Sequence, residues 1–121
     1  MLYLASKYPR RAELLRQIGV KFAIIDSEID ESAQDQESVT DLVLRLCCDK
    51  AQHARDELRD MAEDDLILAA DTLIHLQGQI IGKPVSKQDC GRILRRLSGQ
   101  THQVLTAVAL VDYQGDLRHR I

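Results

Sequence analysis

The stretch from Leu66 to Asp71 constrains the fold more than any other part of the sequence. It begins with the uninterrupted apolar run Leu-Ile-Leu-Ala-Ala, which is typical of a central strand buried on both faces, and it ends at a carboxylate. Strands of this kind occur in α/β proteins, in which helices cover the sheet. The sequence therefore predicts a central strand that ends at Asp71.

Helical and strand patterns alternate before this run. Leu2 to Ala5 and Val20 to Ile25 are short apolar runs typical of strands. Between them, Pro9 suits the first position of a helix and Gly19 suits the residue after its end. The apolar positions that follow have helical spacing, which predicts a long helix that is capped by Ser38 and reaches about Leu58.

The alternation continues after the run. Leu73 to Ile81 contains two apolar segments around a glycine turn, which predicts a hairpin. Ser86 to Leu97 opens with a capping-box pattern and reads as a helix, and Val104 to Tyr113 has the β-branched, apolar composition of a strand. We therefore predict one α/β domain over residues 1–121, with a mixed sheet flanked by helices.

Composition excludes several classes of protein. Hydrophobic residues make up 45% of the 121 residues and aromatic residues only 3%, so an aromatic platform for stacking nucleic-acid bases is not expected. The formal charge of −3 gives no global attraction to polyanions, so a phosphate site would need a local cluster of Lys and Arg. No nucleic-acid partner is predicted.

Cysteine usage and hydropathy bear on the compartment. The three cysteines form no C-x-x-C pair, so neither a disulfide framework nor a zinc site is indicated. No apolar stretch approaches the roughly 20 residues that span a bilayer, and the N-terminus does not have the pattern of a signal peptide. We predict a cytoplasmic protein without membrane association.

Ser6 to Arg11 is the first candidate for chemistry. It lies at a predicted turn from a strand to a helix, where free backbone N–H groups and the helix dipole favour an anion. Arg10 and Arg11 add guanidinium groups, whose fork of donors suits phosphate oxygens. The alternative is a solvated helix start in which one of these arginines pairs with Glu13.

Two further candidates follow along the chain. Asp71 and Thr72 come at the end of the apolar run, where ligands tend to bind in α/β proteins, and a carboxylate there can bind a metal or orient a water. Lys83, between glycine and proline, could direct an ammonium at the same phosphates. The alternatives are an aspartate that caps a turn and an exposed lysine in a turn.

Familiar catalytic motifs are absent from the sequence. It contains no H-E-x-x-H, no Walker loop and no G-x-G-x-x-G, and no G-x-S-x-G surrounds Ser98. The sequence therefore does not indicate a zinc hydrolase, a P-loop enzyme or an α/β-hydrolase. Glu31 and Lys50 carry no motif of their own and would ordinarily be surface residues.

Taken together, the candidate strings resemble the Maf-like nucleotide pyrophosphatases in order and in spacing. The strings are Leu4-Ala5-Ser6, Pro9-Arg10-Arg11, Ala70-Asp71-Thr72, Gly82-Lys83-Pro84 and Leu97-Ser98-Gly99-Gln100-Thr101-His102. The segment that begins at Gln100 is most similar to the branch that acts on dTTP and UTP. The resemblance implies an ITPase-like fold and hydrolysis of a nucleoside triphosphate, dTTP, UTP or a modified pyrimidine nucleotide, to the monophosphate and pyrophosphate.

The resemblance also implies roles for residues. Glu31 and Asp71 are expected to handle a divalent cation, Mg²⁺ or Mn²⁺, and the attacking water, with Asp71 as general base. The expected substrate-binding residues are Ser6, Arg10, Arg11, Thr72 and Lys83. Lys50 is expected to bind phosphate and to take part in catalysis. The family also implies a homodimer.

Two departures from the family pattern affect these expectations. Tyr8 stands where the family usually has a serine before Pro-Arg-Arg, which removes a small hydroxyl and adds a ring. The family domain also continues past the position of Ile121, so we expect the domain to be incomplete at its C-terminus by about a third. The alternative function is a catalytically impaired fragment that binds nucleotides, or an interaction module that regulates division or septation.

Overall fold

The computed structural model describes residues 1–121. The chain forms three helices and six strands, which are numbered along the sequence. They are β1 (Leu2–Ala5), α1 (Pro9–Gln17), β2 (Phe22–Ile25), α2 (Val39–Glu57), β3 (Leu66–Leu76), β4 (Gln79–Ile81), α3 (Lys87–Leu97), β5 (Gln103–Asp112) and β6 (Leu117–Arg120).

All six strands belong to one mixed sheet, as predicted. The strand order is β2-β1-β3-β5-β6, and β4 pairs with the far end of β3. β1 is parallel to both β2 and β3, whereas β5 is antiparallel to β3 and β6. The predicted hairpin joins β3 to β4, and Gln77 and Gly78 both have positive φ, as a tight two-residue turn requires.

Helix α2 covers one face of the sheet and forms the core with it. The Ser38 side chain accepts a hydrogen bond from the N–H of Asp41, so the predicted cap is confirmed. The helix buries a stripe of small and aliphatic side chains against strands β1, β3 and β5. The fully buried contacts are Val43, Cys47, Ala51, Ala54, Ala5, Ile67, Ala69, Ala107, Ala109 and Val111.

The opposite face of the sheet is largely open, so the prediction of a central strand buried on both faces is wrong. Helix α1 shields only part of this face, where Leu4 and Ala70 are buried. Further along, apolar side chains of three strands remain exposed, because no helix packs over them. They are Ile24, Leu66, Val104, Val108 and Leu110.

Strand β3 does not end at Asp71, contrary to the prediction. Its parallel partner β1 ends at Ala5, opposite Ala69, but β5 pairs with β3 without a break from Leu66 to His75. The antiparallel ladder therefore carries the strand past Asp71. Because side chains alternate along a strand, Asp71 faces α2 and Thr72 faces the open side.

Three smaller features complete the fold. Strand β2 begins at Phe22 rather than at Val20, because Gly19 and Val20 are still bonded to the last turn of α1. Ser86 caps α3 through the N–H of Asp89, as predicted. None of the three helices is both long enough and apolar enough to cross a membrane.

Candidate functional site

Three charged side chains meet between α2 and the end of β1. The Lys50 ammonium lies 3.0 Å from a carboxylate oxygen of Glu31 and 3.3 Å from Oδ1 of Asp71. Lys50 and Asp71 are buried, with Asp71 only 2% exposed, whereas the Glu31 side chain is half exposed. The structure therefore brings together the three residues predicted to carry catalysis.

Asp71 has an unused acceptor. Its Oδ1 contacts Lys50, but its Oδ2 is buried without a hydrogen-bond partner. A buried carboxylate oxygen without a partner is costly in a folded protein, because it has lost its hydration. Asp71 is therefore not a turn cap. It can accept a hydrogen bond from a water or contact a cation.

The loop between β2 and α2 brings Glu31 to Lys50. Ser27 anchors this loop, since its hydroxyl donates to the backbone carbonyl of Lys50 at 2.7 Å. Partial burial acts to raise the pKa of Glu31, but the hydrogen bond and charge of Lys50, aided by Lys83 and Lys7, outweigh it. The pKa of Glu31 is therefore lowered, so Glu31 is ionised at neutral pH.

A cavity of about 330 Å³ opens beside this cluster. Ser6, Arg11, Glu31 and Lys50 all line it. Ser6 is nearly buried, and its hydroxyl accepts a hydrogen bond from the N–H of Tyr8 at 3.2 Å. The turn before α1 and two members of the charged cluster, Glu31 and Lys50, therefore line a common space that a phosphate group could enter.

Arg11 also connects this cavity with the open face of the sheet. Its guanidinium lies 3.4 Å from the hydroxyl of Thr72, which in turn lies 2.9 Å from that of Thr106. Here a groove of about 690 Å³ runs between α1 and the sheet, and Lys83 lines it together with Arg11 and Thr72. The predicted substrate-binding residues are thus distributed over two adjoining spaces.

Arg10 differs from the other predicted residues. Its side chain is exposed and lies 3.4 Å from Glu13, one turn along the helix. This is the alternative that the sequence left open for one of the two arginines. Arg10 borders the groove but does not line the cavity beside Lys50.

Four residues near the site were not predicted as site residues from the sequence. Lys7 and Glu28 form an ion pair at the cavity wall, Ser27 anchors the loop, and Thr106 pairs with Thr72 across two strands. All four depend on contacts between segments at least 21 residues apart. The sequence offers one signal for Thr106. Because side chains alternate along β5, Thr106 is expected on the opposite face from its buried neighbours, which is also the face of Thr72.

The buried cysteine beside the cluster is not suited to nucleophilic catalysis. Burial, together with the neighbouring Cys48, raises the pKa of Cys47 to about 12. Its thiol donates to the backbone carbonyl of Leu44. Because the thiolate is the reactive form, Cys47 is a structural residue of the core.

The donor set is compatible with a divalent cation that is shared with a substrate. No group of three or more His, Cys, Asp or Glu residues is arranged to hold a metal ion. However, one ammonium faces two carboxylates, and Oδ2 of Asp71 has no partner. Mg²⁺ is commonly held by one or two carboxylates together with substrate phosphates and water. Asp71 and Glu31 fit that pattern.

A match to a protein family covers nearly the whole chain. Residues 1–120 match the family described as Maf-like protein. Curated relatives named dTTP/UTP pyrophosphatase include that of Shigella dysenteriae serotype 1, 50% identical over 113 residues, and that of Caldicellulosiruptor bescii, 44% identical over 111 residues. These alignments cover 93% and 92% of this chain but 56% of each relative. The chain thus spans about half the length of the curated relatives it matches.

Solved structures agree on the fold. The Ham1 protein of Staphylococcus aureus superposes with a TM-score of 0.59 at 13% identity, covering 98% of this chain and 66% of that one. A nucleoside-triphosphatase / dITP/XTP pyrophosphatase from Mycobacterium abscessus has a TM-score of 0.50 at 16% identity, covering 98% and 69%. The predicted ITPase-like architecture is confirmed. By its family match and its relatives, the chain belongs to the Maf-like protein family.

Proposed function

We propose that this protein is a nucleoside triphosphate pyrophosphatase that hydrolyses dTTP or UTP to the monophosphate and pyrophosphate. The observation that carries the proposal is the buried Lys50–Asp71 pair, joined by Glu31. Lys50 and Glu31 line one cavity together with Ser6 and Arg11 of the turn proposed to bind phosphate. The names of the relatives support the same substrates. They do not favour the alternative of a non-catalytic module.

The chemistry divides between acidic and basic groups. Asp71 orients a water and accepts its proton while the water oxygen forms a bond to the α-phosphorus. The bond from that phosphorus to the oxygen bridging to the β-phosphate breaks, and pyrophosphate leaves with the electron pair. Arg11, Lys50 and Lys83 offset the negative charge that builds up on the leaving group.

The remaining substrate-binding residues position the triphosphate. Ser6 and the backbone N–H groups at the start of α1 donate to phosphate oxygens, and Thr72 supports Arg11. Arg10 acts at the rim, because its guanidinium is exposed and shared with Glu13. A divalent cation held by Asp71 and Glu31, Mg²⁺ or Mn²⁺, would supply Lewis-acid polarisation of the phosphates when bound.

A panel of nucleoside triphosphates tests this proposal. The protein is incubated with dTTP, UTP, ATP and GTP in the presence of Mg²⁺ or Mn²⁺, and the products are separated by anion exchange. We expect monophosphate with pyrophosphate, and faster turnover of dTTP or UTP than of the purine nucleotides. Release of orthophosphate with a diphosphate would exclude this reaction class.

Removing single cations should weaken substrate binding in a salt-dependent way. Arg11→Ala or Lys83→Ala is expected to raise the Kd for dTTP. The increase should be larger at about 20 mM than at about 500 mM NaCl, because the screening length for exposed charges falls from about 20 Å to about 4 Å over this range. Titration calorimetry at both concentrations measures the effect. Arg59→Ala, which removes an exposed cation away from the site, is the matched control. A loss that does not depend on salt would indicate damage to the fold.

We also propose that the protein is a homodimer that associates through the part of the open face of the sheet that lies outside the groove lined by Lys83. The exposed apolar side chains of β3 and β5 form a patch of the kind that marks protein interfaces. Light scattering after size exclusion should give the mass of two chains, and Leu110→Lys, at an exposed residue that does not line the groove, should shift it towards one. Val85→Lys, on a loop residue that is 90% exposed, should leave the dimer intact. A monomeric wild-type protein would contradict the proposal.

The remaining proposals concern the surroundings of the protein. A cytoplasmic location agrees with three cysteines that form no disulfide and with substrates that occur in that compartment. No nucleic-acid partner is proposed, since the net charge is −3. That residues 1–121 form one domain that is incomplete at its C-terminus stays a prediction.

A further inference from the structure

Tyr8 contacts one of the cations of the proposed site. The Lys83 ammonium lies over the Tyr8 ring, 4.0 Å from its centroid. This distance is well within the roughly 6 Å over which a ring face attracts a cation. The contact joins the turn before α1 to the loop between β4 and α3.

The local backbone keeps the Tyr8 ring free for this contact. Tyr8 is the residue before the first turn of α1, and its extended backbone donates a hydrogen bond to Ser6. Its side chain does not cap the helix. The ring is 44% exposed and borders both the cavity beside Lys50 and the groove that contains Lys83.

Lys83 has no carboxylate partner within ion-pair distance, unlike Lys7 and Lys50. Lys83 nevertheless lies near enough to lower the pKa of Glu31. Its effect is smaller than that of burial, which raises this pKa, and smaller than that of Lys50, which lowers it. A lysine on a flexible stem loses rotamer freedom when it binds a phosphate. A ring that already holds the ammonium reduces that loss.

We propose that Tyr8 is a positioning residue that holds the Lys83 ammonium ready for the phosphates of the substrate. The inference rests on the proposed function. In this inference the Tyr8 ring contributes to triphosphate binding only through its contact with Lys83.

The contact is tested first without any ligand. The ε-methylene protons of Lys83, assigned by their disappearance in Lys83→Ala, should be shifted upfield by the ring current of Tyr8. Tyr8→Phe should retain this shift, because the ring face remains, and Tyr8→Ser should abolish it. A lysine signal at its ordinary position in the wild type would overturn the inference.

The effect on binding is tested with inorganic tripolyphosphate, which carries no base or sugar. Tyr8→Ser is expected to weaken its binding by about two- to fivefold, the scale of an exposed cation–ring contact. The same replacement in Lys83→Ala should have no further effect, since the partner is already absent. Tyr8→Phe should bind as the wild type does.

The outcomes separate this inference from the proposed function. If the wild type binds tripolyphosphate but the losses from Tyr8→Ser and Lys83→Ala add, the inference is overturned and the function stands. If the wild type does not bind tripolyphosphate, the phosphate site is wrong and both are overturned. Coupled losses together with the upfield shift support the inference.

Discussion

Asp71→Asn is expected to lower turnover by about 100-fold or more, the scale of losing a general base. The replacement keeps the shape of the side chain and removes the negative charge and proton affinity that act on the water. Lys50 retains its contact with Glu31 at 3.0 Å, so the fold should persist. Nucleotide binding should also remain measurable. The rate of pyrophosphate release from dTTP measures the effect, with the replacement made in a form of the protein that hydrolyses dTTP.

The control for this prediction is Asp60→Asn, which removes an exposed carboxylate outside the site. It should leave turnover unchanged. Unchanged turnover in Asp71→Asn itself would return Asp71 to a structural role as the partner of Lys50. A loss of turnover that is accompanied by a loss of thermal stability would also indicate a structural role.

Lys50→Met should have the largest effect on stability. Methionine keeps an unbranched chain of similar length but removes the partner of Oδ1 of Asp71, and Oδ2 has none. A buried carboxylate without compensation then remains at 2% exposure. Breaking a buried ion pair in this way costs about 3–5 kcal/mol of unfolding free energy. Urea denaturation followed by circular dichroism measures it.

Two further variants show whether the lone carboxylate causes the loss. The double variant Lys50→Met with Asp71→Asn should recover much of the stability, because the buried group is then neutral and close to its original shape. Lys21→Met, at an exposed lysine, should change little. If Lys50→Met costs no more than Lys21→Met, water or rearrangement compensates Asp71, contrary to the burial seen here.

Local pattern was enough to predict most elements of the fold. The hairpin turn at Gln77 and Gly78, the Ser38 and Ser86 caps, and the glycine after α1 each depend on residues a few positions apart. Such preferences operate before any tertiary contact forms. The candidate strings, through their family resemblance, also predicted the Maf-like membership that the family match confirms. The roles of the site residues stay predictions.

Pairing between distant segments decided what local pattern could not. The predicted end of β3 is wrong because the length of the strand depends on its pairing with β5, which continues to His75 opposite Gln103, and not on the apolar run itself. That pairing decides which face each side chain occupies, so it separates Asp71 from Thr72. Likewise, the open face of the sheet follows from where helices pack and not from the composition of the strands.

The sequence by itself determined which residue types stand at the strand-to-helix turn, in the carboxylate positions and beside Pro84, because those are local facts of spacing. Only the tertiary structure decided that Glu31, Lys50 and Asp71 form one cluster, that Arg10 pairs away from it, and that Tyr8 lies under Lys83. The physical reason is that an ion pair or a ring contact requires two side chains within a few ångströms. Segments far apart in the chain reach that distance only when the sheet and α2 have packed.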